Sequence, residues 1–251
     1  MKIVLQIWLQ FSIITLINCS YVLRKKLERG AFMVTYKDIK NDEAVRAYIR
    51  AADDSLGALG YTEHSFAHVE RVACTAAYVL ESLGYDAHTV ELARIAGVLH
   101  DIGNLVNRSE HSQSGAVMAF RILDHKGMAP ADIATVVTAI GNHDEGTGVP
   151  VSAIAAALII ADKSDVRRSR VRNNDFATFD IHDRVNYSVT SSSLTVSEDK
   201  KSVCLALEID TAISPVMDYF EIFLGRMMMC RKAADKLGLS FEMTINSQRI
   251  I

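Results

Sequence analysis

From Val90 to Leu99 the chain is apolar on almost every side, and the run ends on His100-Asp101-Ile102-Gly103. A helix that is apolar all round belongs inside a core. The fold must therefore carry an imidazole and a carboxylate at the edge of that core, where both need partners. Neutral imidazole is a common metal ligand, and a carboxylate can bind one ion or bridge two. Other polar residues stand in similar settings. His64 and His68 are spaced i, i+4 and share one helix face, His111 and His143 follow downstream, and Asp162 comes directly after the apolar Ala153–Ala161 stretch.

The 251 residues suffice for one large domain or a domain with a small appendage. A formal charge of −3 gives no general reason to expect a nucleic-acid partner. Cys19, Cys74, Cys204 and Cys230 are scattered, with no CxxC pair. That argues against a zinc ribbon or a disulfide framework and suits a reducing compartment.

Residues 3–23 are largely apolar, with Lys2 before them and Arg24-Lys25-Lys26 after. Three readings stay open. The segment can be a membrane anchor with its basic flank in the cytoplasm. It can be a signal sequence, although no small-x-small cleavage site stands out. Or translation starts at Met33, since Glu28-Arg29-Gly30 can be encoded by a purine-rich stretch resembling a ribosome-binding site.

The spacing then predicts a series of helices. Apolar residues recur helically from Val45 to Leu59, with Asn41 or Asp42 as cap and Gly60 as stop. A second helix carries His64 and His68 and runs to about Leu83, and a third runs from Asp86 to Leu99. Ser109 can cap a helix through His111, Val117, Phe120 and Leu123. Pro130 opens the next, in the first turn where proline is tolerated. Ser152 caps a very apolar helix from Ala153 to about Val166. Arg167, Arg168, Arg170 and Arg172 follow, either as a charged helix end or as a phosphate clamp, because guanidinium forks match phosphate oxygens. After about Asn186 the texture changes. Tyr187–Val196 and Val203–Ile209 alternate as strands, a helix runs from Ser214 to about Leu237, and Phe241–Ile245 is a last strand. The Met227–Cys230 run reads as core packing.

Taken together, His68-Val69-Glu70-Arg71-Val72, His100-Asp101-Ile102-Gly103 and Asp162 resemble the HD superfamily of metal-dependent phosphohydrolases in order and helical context, over roughly residues 42–172. The resemblance implies a mainly α fold, an HD-domain helical bundle, here followed by a small α+β module of strand-strand-helix-strand order. The expected organisation is an apolar extension over 1–32, an HD-type metal-binding domain over 41–183, and the C-terminal module over 187–251. The resemblance assigns His68, His100, Asp101 and Asp162 as metal ligands. It adds His111 and His143 as the extra ligands of two-metal members, with Asp101 bridging. His64 resembles the leading histidine of an H-x3-H-x2-R-V form and is expected to face substrate or support a ligand. Compared with the HD-GYP branch, Asn104 replaces a lysine, Asp144 replaces the second histidine of a pair, and no GYP motif is present. A cyclic dinucleotide is therefore not the expected substrate.

The implied reaction is hydrolysis of a phosphate ester of a nucleotide or similar small molecule, using one or two divalent ions (Mn, Fe, Co, Ni, Mg or Zn). The expected catalytic group is Asp101, with Arg168 and Arg170 on the phosphate and Asp144 or His64 protonating the leaving group. The alternatives are a regulatory nucleotide-binding module with a degenerate site and a di-iron oxygenase-type member of the same superfamily. A small phosphorylated substrate is the expected partner, with no stable nucleic acid and with homodimerisation through the C-terminal module left open. The expected location is cytoplasmic, or membrane-anchored through residues 3–23 with the HD domain in the cytoplasm.

Overall fold

A computed structural model describes residues 34–251. The expected N-terminal extension and its three readings lie outside the described residues. Among those described, no helix is long and apolar enough to cross a membrane.

Local sequence sets most helix boundaries. Helix α1 spans Tyr36–Lys40 and starts on a reciprocal capping box between Thr35 and Asp38. Asp42 caps α2, Glu43–Ala58, and Ser65 caps α3, Phe66–Leu83. Gly84 stops α3 at φ 89°, a left-handed conformation that costs glycine little. Asp86 caps α4, Ala87–Leu99, which is buried from Val90 through Leu99 apart from Glu91 and Arg94. A short 3-10 turn, Ile102–Leu105, leads on towards α5, His111–His125. Helix α6 is Pro130–Gly141, with proline in its first turn, and Ser152 caps α7, Ala153–Lys163.

Three local expectations are corrected. Ser109 does not cap α5; Glu110 takes that position at φ 57°, with no side-chain cap. His64 lies before α3, which starts at Phe66, so it does not share a helix face with His68. The arginine run is not a helix end, since α7 stops at Lys163 and Arg168–Arg170 form a separate 3-10 turn.

Helix α8, Ile181–Ser188, delays the first strand, so β1 covers Val189–Val196. Strand β2 is Ser202–Ile209, α9 is Val216–Lys236, β3 is Ser240–Ile245 and β4 is Gln248–Arg249. The sheet order is β1-β2-β3-β4. Strands β2 and β3 are parallel and connected through α9, with Val203 opposite Phe241 and Leu205 opposite Met243; the other pairs are antiparallel. This register puts Val203, Leu205, Leu207, Phe241, Met243 and Ile245 in the core with Phe223, Met227 and Cys230 of α9. The architecture is thus mainly α, with a small sheet near the C-terminus.

Helix α7 explains how the two parts are joined. Its Ala155, Leu158 and Ala161 belong to the core of the helical bundle, while Ala156, Ile159 and Ile160 belong to the core beneath the sheet. A helix used on both sides must be apolar all round, as this one is.

Candidate metal centre

The histidines and aspartates predicted as ligands come from helix termini that point at one place. His68 lies in the first turn of α3, His100 follows the last residue of α4, and His111 opens α5. His143 follows α6 by two residues, and Asp162 is next to the end of α7. Bringing these ends together buries His68, His100 and His143 fully and leaves His111 at 3% exposure.

Each imidazole is held through Nδ1. His100 Nδ1 lies 2.7 Å from Gly97 O, His143 Nδ1 2.6 Å from Ile140 O, and His111 Nδ1 3.1 Å from Arg108 O. His68 Nδ1 lies 2.8 Å from Asp165 Oδ2. Carbonyl and carboxylate oxygens only accept, so a proton sits on Nδ1, and each ring that holds no second proton offers its Nε2 lone pair to another partner.

Those Nε2 atoms face the two carboxylates. His68 Nε2 is 3.4 Å from both Asp101 Oδ2 and Asp162 Oδ1; His100 Nε2 is 3.2 and 3.7 Å from the same two oxygens. Ligand atoms bound at ~2.0–2.2 Å to one ion stand roughly 3.0–3.5 Å apart, which these separations match closely. His68 Nε2 and His100 Nε2 are buried and have no hydrogen-bond partner. Unpaired buried nitrogens are costly, and a cation among them supplies the missing interaction. The other oxygen of Asp101 faces a second group: Oδ1 is 3.5 Å from His111 Nε2 and 3.9 Å from His143 Nε2, and these nitrogens are 3.2 Å apart. The residues thus fit a divalent ion, with donors for a second and Asp101 between them.

Charge follows the same arrangement. Burial opposes the charge on His100, but Asp101 and Asp162 outweigh it and hold its pKa up at about 10. Burial, His100 and Lys163 push His143 down to about 3. Asp101 and Asp162 stay well below the usual carboxylate range, against burial, because His100 lies beside the first and Lys163 beside the second.

The structure adds residues that the sequence reading did not single out. Asp165 holds His68 and is itself gripped by Arg71 and Arg167 at 3.1 and 3.0 Å. Lys163 Nζ joins Asp162 Oδ2 at 2.7 Å to Glu145 Oε2 at 3.0 Å, and Arg226 of α9 reaches Glu145 at 2.8 Å. Asn104, already noted in the sequence, donates to Asp101 Oδ1 at 3.0 Å and so orients that carboxylate. The available signal for Asp165 was its i+3 spacing from Asp162. Arg226 had none, since its position depends on a contact between distant elements.

The other candidates are placed as follows. His64 and Arg170 line the cavity beside Asp101 and Asp162, together with Arg108, Lys163 and Arg226. His64 is fixed through Nδ1 to Thr62 O at 2.7 Å. Asp144 stands at the rim, its Oδ1 3.9 Å from His111 Nε2. Arg168 is not brought to the cavity; its Nε donates to Tyr187 O at 2.6 Å and its guanidinium lies 4.5 Å above the Tyr187 ring.

The HD domain family matches residues 65–167, which include these ligand candidates apart from His64 and the arginines beyond. Residues 65–167 are an HD domain. The chain is also similar to uncharacterized protein MJ1020 of Methanocaldococcus jannaschii, at 25% identity over 218 residues, covering 77% of this chain and 82% of that one. The HD domain supplies all six predicted metal ligands, while Arg226 reaches the site from the following segment.

Proposed function

We propose that the chain is a metal-dependent phosphohydrolase acting on the phosphate ester of a nucleotide or similar small molecule. One observation carries this reading: Asp101, Asp162 and His111 line the floor of a cavity that Arg108, Lys163, Arg170 and Arg226 also line. A bound divalent ion supplies charge that acidifies water and neutralises phosphoryl oxygens. Cations above such a floor suit the charge that develops on a transferring phosphate. Arg108 and Arg226 are placed to meet its oxygens, while Arg170 is held by Glu63 O and Asp165 O and adds a fixed positive field. His64 lines the cavity with Nδ1 tied to Thr62 O, and burial with nearby Arg170 holds its pKa well below the usual histidine value, so it serves there as a neutral imidazole that can accept a hydrogen bond from water or substrate. The partner in this reading is the small phosphorylated substrate itself.

The test is phosphate release from a panel of nucleoside monophosphates and from bis-p-nitrophenyl phosphate, with Mn, Co, Ni, Fe, Mg or Zn added singly. Turnover with at least one metal, lost in Asp101→Ala, is expected. Binding of nucleotides with no turnover under any metal would replace this reading with that of a binding module.

A further inference from the structure

A second cleft, of about 380 Å³, adjoins the metal cavity and shares His64, Arg108 and Arg226 with it. Its size falls within the range of small-molecule sites, ~300–1,000 Å³. The part that does not line the metal cavity differs in chemistry. Tyr61, 44% exposed, supplies ring surface, while Phe223 is 2% exposed with the Arg226 guanidinium 4.5 Å from its ring centre; Asp180, Asp183 and Asn186 of the α8 region supply polar groups, with His182 Nδ1 3.8 Å from Asp180 Oδ2. Asp180 accepts from Asp183 N, and Asp183 Oδ2 accepts from Asn173 Nδ2 at 3.3 Å. Cations thus stand where the cleft meets the metal cavity, and carboxylates stand on the side away from it.

We infer that this cleft seats the nucleoside of a nucleoside monophosphate and rejects the corresponding triphosphate. The inference rests on the hydrolase reading only in placing the phosphate at the metal cavity. The nucleoside brings a flat ring for Tyr61 and hydroxyl or amino donors for the two aspartates. Further phosphates would place like charge against Asp180 and Asp183, and such a repulsive element is a means of discrimination. A phosphate group alone makes no use of the cleft.

The test measures equilibrium binding to Mn-loaded protein of uncleavable adenosine 5′-phosphonate analogues, in mono- and triphosphate form, and of inorganic phosphate. The monophosphate analogue is expected to bind at least tenfold tighter than either of the others. The variant carrying Asp180→Asn and Asp183→Asn retains the helix cap, since Asn caps as well as Asp. It is expected to bind the triphosphate analogue at least tenfold better, with inorganic phosphate unchanged. Equal binding of the mono- and triphosphate forms, equal binding of the monophosphate and inorganic phosphate, or unaltered discrimination in the variant overturns the inference. Separately, tight and selective binding by a protein that cleaves no phosphate ester leaves the cleft assignment standing and removes the hydrolase reading.

Discussion

At the scale of single residues, the site depends on which imidazole nitrogen is tied and which is free. Asp165 fixes His68 in the useful tautomer. Replacing an outer partner of this kind typically lowers metal affinity 10–100-fold, so Asp165→Asn is expected to weaken metal binding by about that factor while circular dichroism stays unchanged. Titration with a metal-competing chelator measures it, and unchanged affinity would show that His68 needs no such support. Protonation gives a second expectation. His100 is held at about 10 without metal, above the ~6.5 of an unfolded chain. In the metal-free protein its charged form therefore contributes stability that is complete below pH ~6.5 and is lost as pH rises towards 10. Metal uptake at pH 7.5 must displace that proton, so calorimetry in two buffers of different ionisation enthalpy should show proton release; none would contradict the assigned state. Asp162 was legible because a carboxylate after an apolar run stands out. Asp165 was not, because a charged residue past a helix end ordinarily faces water, yet here it is 2% exposed.

At the scale of elements, close helix approach decides where glycine is required. A Cβ on Gly97 would lie 2.5 Å from Ala73 Cα, across the contact of α3 with α4. Alanine favours a helix by about 0.8–1 kcal/mol over glycine, but overpacking against a backbone costs about 1–3 kcal/mol or more. The clash wins, so Gly97→Ala is expected to be net destabilising, with a lower melting temperature; an increase would mean that the helices part easily. Helix starts were largely legible, since Asp42, Asp86 and Ser152 cap as their types suggest, but α3 starts after Ser65 and so leaves out His64, which the i, i+4 spacing had placed on it. Strand β4 escaped notice because the turn before it uses positive φ at Asn246 and Ser247, and serine gives little warning of that conformation. The arginine run was only half legible. In an irregular backbone its members do not share a face: Arg167 and Arg170 turn to Asp165, Arg168 to Tyr187 and Arg172 to Asp53.

At the scale of the whole molecule, the mainly α class and the later strands followed from periodicity, but the joining of two cores by α7 did not. Alanines and isoleucines along a uniformly apolar helix do not reveal how many neighbours it has. Because α7 also carries Asp162 and Lys163, metal binding and overall stability are linked. A site held at 100 times its dissociation constant adds about 2.7 kcal/mol. For a chain of this size that corresponds to roughly 5–10 °C, so removing metal is expected to lower the melting temperature by about that amount, with recovery on re-addition. The central claim is that helix ends gather two ion positions around Asp101. Metal content per chain, measured on protein purified without chelator and after reconstitution, tests it most directly when His143→Ala and Asp101→Ala are measured alongside. The account predicts two ions in the natural sequence, one in His143→Ala and none tightly held in Asp101→Ala. No metal in the natural sequence after reconstitution, or full occupancy in Asp101→Ala, would contradict it.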